Sequence, residues 1–416
     1  MEHIAKPHCG ARLDRLPDCR WHSSMFAIVA FGLLVCWSNA VGGLILAQLK
    51  ELGWTDNSTT ATFSAITTAG MFLGALGGGI IGDKIGRKNA FILYEAIHII
   101  AMVVGAFSPN MTFLIACRFV MGVGLGALLV TLFAGFTEYM PGRNRGTWSS
   151  RVSFIGNWSY PLCSLIAMGL TPLISAEWNW RVQLLIPAVL SLMATIIAWR
   201  RFPESPRWLE SRGRYAEAEK VMRAIEEGVV LQTGKPLPPV VIEDDGKAPR
   251  AVPYSALLTG VLLKRVILGS FVLIAMNVVQ YTLINWLPTI FMTQGINLKD
   301  SIVLNTMSMF GAPFGIFIAM LVMDKIPRKT MGVGLLVLIA GLGYIYSLQT
   351  SMLLITLIGF FLITFVYMYV CYASAVYVPE IWPTEAKLRG SGLANAVGRI
   401  SGIAAPYAVA VLLNGY

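Results

Sequence analysis

Residues 83–88 read DKIGRK and residues 324–329 read DKIPRK, one letter different and 241 positions later. Four of the six side chains are ionisable, in a chain of 416 residues of which only 13% are charged. A second echo accompanies the first. Glu138-x-x-Pro141 is matched by Glu380-x-x-Pro383, 242 residues on, and each is followed by an Arg-Gly pair, Arg145-Gly146 and Arg389-Gly390. Two landmarks at nearly one offset predict a duplicated structural unit.

What surrounds these landmarks is oily. Hydrophobic residues make up 56% of the chain, with 40 Gly, and the mean hydropathy is +0.66. Soluble domains have about 45–50% apolar and roughly 25% charged residues, so both departures point to lipid. Stretches near the ~20 apolar residues that span a bilayer recur along the chain. Eleven are expected: 24–48, 58–81, 90–107, 112–137, 152–171, 182–199, 266–290, 301–323, 331–348, 352–378 and 391–413. The chain reads as an all-α polytopic membrane protein. Its first span is too long for a signal-peptide core and lacks an Ala-x-Ala-like site, so it is expected to stay as a helix.

The net charge of +10 raises the question of a nucleic-acid partner, and its distribution answers it. With alternating spans and the N-terminus inside, Lys50, Arg181 and Lys299 fall outside, and Arg118 and Arg399 lie within spans. Every other Lys and Arg falls on one side, which is the cytoplasmic side by the positive-inside rule. The charge is topological, and no nucleic acid is expected. Both hexapeptides then sit in equivalent cytoplasmic turns, after spans two and eight. Six cysteines form no CxxC pair and none falls in an outside loop, so no disulfide is expected. His3, His8, Cys9, Cys19 and His22 match no metal spacing. The N-terminal segment 1–23 is read as a disordered cytoplasmic tail, and no metal or cofactor is expected.

The organisation is thus a tail (1–23), a six-helix half (24–200), a cytoplasmic insert (201–265) and a second half (266–416). In the insert, Ser205-Pro206 reads as N-cap and first helical residue. Gly213 to Glu227 reads as a solvated helix, and 230–252 as a mobile linker. Parallel repeats of this kind occur in transporters that hold substrate at the midplane between halves.

Four motifs carry a family resemblance over essentially the whole chain. GDKIGRK at 82–88 resembles the loop 2–3 signature of the major facilitator superfamily. RFPESPRWL at 201–209 and RFVMGVGLG at 118–126 resemble sugar-porter signatures, and PEIWPTEAKLRG at 379–390 is similar to that group's loop 10–11 pattern. The tail ARLDRLPDCRWH resembles a branch of bacterial inner-membrane metabolite:proton symporters, near nicotinate and aromatic-acid carriers. The resemblance implies the major facilitator fold of two six-helix repeats, of which eleven spans are found and a twelfth is missing. It also implies a latch of ion pairs between helix ends that stabilises the outward-facing state. Asp83, Arg87 and Lys88 are assigned to it, with Glu138, Arg145, Glu204, Arg207, Asp324, Arg328, Glu380 and Arg389 in the matching loops.

Polar residues inside the spans supply the candidate site, because charge at bilayer depth costs about 2.5–3.5 kcal/mol and needs a partner or a cavity. Arg399 lies about 12 Å into span eleven at 1.5 Å per residue, with Asn395 one turn away. It suits a substrate carboxylate or an internal ion pair. On span seven, Asn277, Gln280 and Tyr281 share a face that Asn285 continues, fit for substrate contact or helix–helix hydrogen bonds. Asn157 and Trp158, Tyr369 and Tyr372 offer aromatic faces beside polar groups, or ordinary packing. Ser38 and Asn39 complete the set from span one, which lacks the acidic residue that many proton-coupled relatives carry there. Glu95 and His98, at i and i+3, could relay protons, although the resemblance implies that span three is peripheral. Arg118 is read as structural.

The expected function is a secondary active transporter of a small organic acid, aromatic acid or sugar-like metabolite, working as a monomer in the bacterial inner membrane. Proton symport is the leading mechanism. A uniporter or exporter, and a non-transporting receptor, are the alternatives. No nucleophile–base pair or HExxH motif supports an enzyme.

Overall fold

The computed structural model describes residues 7–17, 19–37, 40–141, 145–240, 253–293, 295–323, 325–349, 351–382 and 386–414. The candidates Ser38, Asn39 and Asp324, the side chains of Arg145 and Arg389, and residues 241–252 of the 230–252 linker lie outside this set. The tail and first half run α1 (Cys9–Asp14), α2 (Arg20–Val35), α3 (Gly42–Glu51), α4 (Asn57–Ile85), α5 (Arg87–Ala106), α6 (Met111–Tyr139), α7 (Arg145–Asn157), α8 (Ser159–Leu170) and α9 (Ala176–Arg201). The insert holds α10 (Pro206–Ser211), α11 (Tyr215–Thr233) and α12 (Tyr254–Leu257). The second half runs α13 (Gly260–Thr293), α14 (Leu298–Met309), α15 (Gly311–Val322), α16 (Arg328–Ser347), α17 (Met352–Cys371), a π turn over Tyr372–Tyr377, α18 (Val378–Glu380) and α19 (Lys387–Asn414).

Among the described residues nine helical segments are long and apolar enough to cross a membrane. They coincide with nine of the eleven expected spans. The other two, 24–48 and 152–171, are each built of two shorter helices: α2 and α3 part around 36–41, and α7 and α8 meet at Trp158. Pro161 supplies the reason for the second break, since it has no N–H to give the Asn157 carbonyl. The chain tightens there, with Trp158 N bonded to Ile155 O at 3.1 Å. Large apolar side chains such as Leu76, Ile80, Ile100 and Val337 remain exposed on the helix exteriors, as a lipid-facing surface requires.

The duplication is visible atom by atom. A Cβ on Gly70 or Gly74 of α4 would strike the main chain of Phe119 and Val123 in α6. A Cβ on Gly311 or Gly315 of α15 would strike that of Phe360 and Thr364 in α17. All four positions recur at the offset of the two hexapeptides, 241 residues. Small residues let these helix backbones touch without side chains between them.

The halves meet chiefly away from the basic loops. Leu298 and Ile302 of α14 join a cluster with Val41, Leu44 and Ile45 of the first half, and Ala61 packs with Trp286 and Ala410. Asn305 Nδ2 donates to Ser164 Oγ across the halves at 3.3 Å. Nearer the basic end the rings of Phe154 and Phe317 lie 6.2 Å apart, and the ion pairs described there do not bridge the halves.

The tail differs from expectation. Instead of disorder, residues 9–16 fold onto the insert: Cys9, Leu13 and Leu16 share a core with Trp208, Ala218, Met222, Ile225 and Val229. Residues 218, 222, 225 and 229 line one face of α11, so this helix is amphipathic and half-covered rather than solvated. Charge then fixes the register. Arg12 pairs with Glu219 and, at 2.6 Å, with Glu226, and Arg15 reaches Glu226 at 2.6 Å. Arg207 holds Asp14 at 2.9 Å, and the Cys9 amide donates to Glu210 at 2.6 Å. Burial, together with the neighbouring Glu210 carboxylate, pushes the Cys9 thiol up to about 12.

Two consequences are testable. Removing one member of this part-buried pair should cost about 1–2 kcal/mol, between exposed pairs and fully buried ones. Arg12→Ala, in a chain with Cys19→Ser, should therefore speed maleimide labelling of Cys9 about 5- to 30-fold at neutral pH; unchanged labelling would mean that the tail does not depend on the pair. The hydrogen bond from Arg12 holds Glu219 below its ordinary value. At Glu226 burial pushes upward, but Arg12 and Arg15 outweigh it and the carboxyl is likewise lowered. A lowered folded value contributes stability that is present above the ordinary carboxyl range and lost as pH falls through the folded value. Hydrogen-exchange protection of residues 9–16 should accordingly persist at neutral pH and fall in acid.

Candidate functional site

The first hexapeptide closes α4 and opens α5, and the insert is bolted to it. Gly86 has φ 100° and ψ 162°, a region open in practice only to glycine. That turn aims the first amides of α5 at Glu204, whose carboxylate accepts from Arg87 N at 2.7 Å and Lys88 N at 3.2 Å. The carboxylate caps the helix N-terminus, where negative charge is favoured. Arg87 pairs with Asp83 at 2.6 Å and with Glu138 of α6 at 2.8 Å. The Ser205 hydroxyl donates to the second oxygen of Glu138, while Ser205 Oγ also caps α10 by accepting from Trp208 N at 3.2 Å. Trp208 Nε1 donates to the Asp83 carbonyl at 2.7 Å, and Arg212 donates to the same oxygen. Lys88 joins this network through its main chain, and Arg207 faces the tail.

The second copy keeps the ion pair and drops the cap. Arg328 binds Glu380 at 2.9 and 3.0 Å and donates to the Met323 carbonyl. Pro327, at φ −54°, begins α16 with no side-chain cap. The one-letter difference between the hexapeptides is therefore the difference between a capped, left-handed turn and a plain proline start.

At mid-depth the halves meet across a seam of polar side chains. The rings of Tyr160 on α8 and Tyr367 on α17 pack edge to face with centroids 5.5 Å apart. The buried Tyr367 hydroxyl faces Tyr160 and Gln280, yet completes no hydrogen bond among the described residues. Tyr281 is buried against Gly402 of α19. Asn285 is buried beside Gly42, where a Cβ would stand 3.5 Å from its Oδ1 and 2.9 Å from Arg118 Nη2. Arg118 is buried, with Nε 3.3 Å from Thr67 Oγ1 and its guanidinium 4.7 Å above the Phe63 ring. Tyr160, Tyr367 and the seam position of Arg118 were not among the sequence candidates.

Others are placed differently from what their chemistry suggested. Tyr369 donates to the Val272 carbonyl at 3.3 Å and Tyr372 to the Arg328 carbonyl at 2.9 Å. Both are buried in the core of the second half and bind its own main chain rather than facing the seam. Asn277 and Asn157 donate to carbonyls one turn back, Leu273 and Ser153, each at 2.7 Å. Trp158 packs edge-on to Phe310 at 6.3 Å. Asn395 is exposed and bonded to the Ser391 carbonyl at 3.0 Å, and Arg399 is half-exposed one turn further.

Glu95 and His98 are fully buried, so this face of α5 turns inward rather than to lipid. His98 Nδ1 lies 3.7 Å from Glu95 Oε2 and 3.9 Å from Cys36 Sγ, at the end of α2 where the first span breaks. Gly124 of α6 lets the two helices close on this point, since a Cβ there would sit 3.0 Å from His98 N. Neither Glu95 oxygen accepts a hydrogen bond among the described residues.

Two repeated helix bundles that share a polar seam, with charged turns at one end, define a transporter of the two-half type rather than an enzyme. The chain belongs to the Major Facilitator Superfamily, whose family model matches residues 26–406. It is 94% identical over 416 residues to YdjK of Escherichia coli (strain K12), an alignment covering all of this chain and 91% of that protein. It is 43% identical over 410 residues to the "Inner membrane metabolite transport protein YdjE" of the same organism, covering 98% and 90%. The fold matches the xylose transporter XylE from E. coli in a partially occluded inward open conformation, with TM-score 0.72, 17% identity and coverage of 94% and 92%. The protein is a multi-pass membrane transporter of metabolites.

Proposed function

We propose that the chain moves a small organic acid or polyol-like metabolite across the inner membrane by proton symport, with substrate held at the seam between the halves. The observation that carries this reading is the buried Tyr367 hydroxyl at the seam, which faces Tyr160 of the other half and Gln280 of its own and completes no hydrogen bond among the described residues. An amide and phenols offer donors and acceptors to hydroxyl or carboxylate ligands. Leaving the buried Tyr367 hydroxyl unpaired when no ligand is bound is costly, so a ligand that pairs with it is favoured. Arg399, half-exposed on α19, supplies the cation for an acid substrate. Asp83, Arg87, Glu138 and Glu204 form the latch at the cytoplasmic end, and Arg328 with Glu380 form its counterpart.

Coupling falls to Glu95. It is the sole carboxylate in the eleven apolar stretches, and His98 stands beside it. The pair can hold a proton on either partner without changing its net charge. Gaining or losing one leaves an uncompensated buried charge, which favours movement of the structure around it.

Uptake into proteoliposomes over a metabolite panel, with and without an inward proton gradient, tests the whole reading. Accumulation should require the gradient; equilibration indifferent to it would replace symport with facilitated diffusion. Gln280→Ala should raise KM for the transported compound about tenfold, and Arg399→Ala should abolish uptake if that compound is an anion. An unchanged KM in the first variant would remove the seam from the binding site.

A further inference from the structure

Opposite the basic end, a cavity of ≈ 360 Å³ lies between the halves. Gln48 of α3, Thr171 after α8 and Asn179 of α9 line it from the first half, and Asn297 and Lys299 line it from the second. Its rim carries opposite charges on the exposed Glu51 and Lys299, so it has no net preference for an ion. Its floor is uncharged and preorganised. Gln183 Nε2 donates to Asn179 Oδ1 at 2.8 Å, which turns Asn179 Nδ2 toward Thr171 Oγ1 at 3.3 Å. The Thr171 hydroxyl in turn donates to the Ala167 carbonyl at 2.7 Å.

Gln48 stands apart from that relay. It is 0% exposed, and neither its amide oxygen nor its nitrogen has a partner among the described residues. A buried primary amide without hydrogen bonds is among the costlier arrangements in a protein. Gln48 stands in the wall of a cavity large enough for a small molecule, with its amide closed over by its neighbours in this arrangement.

We propose that this cavity is a second binding site, distinct from the seam, for a neutral polyhydroxylated molecule. Adjacent hydroxyls of such a ligand accept from Gln48 Nε2 and donate to Gln48 Oε1. Another accepts the remaining N–H of Asn179. Glu51 and Lys299 close over it from opposite sides of the rim. Because the wall is shared, the site is complete only while the halves are together at this end. A ligand that binds one arrangement of the halves shifts the population toward it. A polyol on the outside therefore favours the arrangement in which the seam opens to the cytoplasm.

Isothermal titration of the purified full-length chain with xylitol, sorbitol and myo-inositol tests the site. At least one should bind, and Gln48→Leu and Asn179→Leu should each weaken it tenfold or more. Gln48→Met, uncharged and close in length, keeps the shape, removes the donors and the acceptor and should lose the same affinity, which guards against a variant that fails to fold. Gln280→Ala should leave this binding unchanged, separating the cavity from the seam: loss of binding in that variant alone would assign the polyol to the seam and overturn the proposal. No heat from any of the three polyols, or equal affinity in the Gln48 variants, would also overturn it. So would tighter binding of a zwitterion such as glycine betaine.

Discussion

Gly86→Ala is expected to reduce transport by at least tenfold while leaving membrane insertion intact. The turn at φ 100° and ψ 162° admits no ordinary side chain, and forcing one costs on the order of 1–3 kcal/mol. The added Cβ would also overlap the Glu204 carboxylate. Relief requires Glu204 to withdraw from the amides of Arg87 and Lys88. The cap on α5, the positioning of Arg87 against Glu138, and the seat of Trp208 on Asp83 would go with it. Pro327→Gly is the internal control: Pro327 lies at φ −54° with no side-chain cap on its helix, so that change should alter rates by less than twofold. Initial uptake rates normalised to membrane-inserted protein decide the matter. Equal activity of Gly86→Ala and wild type would show that the cap plays no part in the cycle.

Glu95→Gln should uncouple rather than inactivate. The amide keeps the size of the side chain beside His98 and Cys36 but cannot release a proton. Accumulation driven by an inward proton gradient should vanish, a drop of at least a hundredfold in the steady-state ratio, while exchange of labelled for unlabelled substrate persists. Few groups around Glu95 could take over its proton. Cys36 and His98 are its titratable neighbours, Tyr94 is committed to the Gly78 carbonyl at 2.9 Å, and α9 has no titratable side chain from Val182 to Trp199. Gradient-driven accumulation by Glu95→Gln at the wild-type level would exclude this carboxylate from coupling.

Spans, duplication and the end carrying the charge were legible because each depends on local composition: apolar length, a repeated hexapeptide, a one-sided distribution of Lys and Arg. The seam was only half legible. Asn277, Gln280, Tyr281 and Asn285 are polar in an oily helix, which marks them, but their spacing cannot say which one faces the other half. Tyr367 and Tyr369 show the difficulty. They lie two residues apart, about 200° around a helix, so at most one can face the seam. Composition favours neither; in the fold Tyr369 is bound to the Val272 carbonyl of α13, and Tyr367 is the one that meets Tyr160 across the halves. The fold of the tail is hidden from local sequence for a related reason. Cys9, Leu13 and Leu16 make a short apolar stripe with too little surface to fold alone, and its partner stripe on α11 lies some two hundred residues away. Gly86 could have been noticed as a glycine beside a charged turn, but neither its positive φ nor the Glu204 carboxylate against it, from another element, can be read from local sequence.

The glycine contacts decide where this molecule can slip. Where Gly70 and Gly74 meet Phe119 and Val123, main chain rests on main chain, and a rotation of either helix drives backbone into backbone. The same holds for Gly311 and Gly315 against Phe360 and Thr364. These are welds, and each half carries the same one. Gly402 of α19 instead meets the Tyr281 ring of its own half and, across the halves, the Thr68 methyl group. Both are side-chain surfaces that can turn and reseat. That contact is a bearing. Gly43 of α3 meets the main chain of Ile284 and Asn285 across the halves, so the stroke should pivot at that contact and slide at 402, leaving the two welded pairs to travel as rigid bodies; a bulky residue at 402 would jam it without disturbing either half.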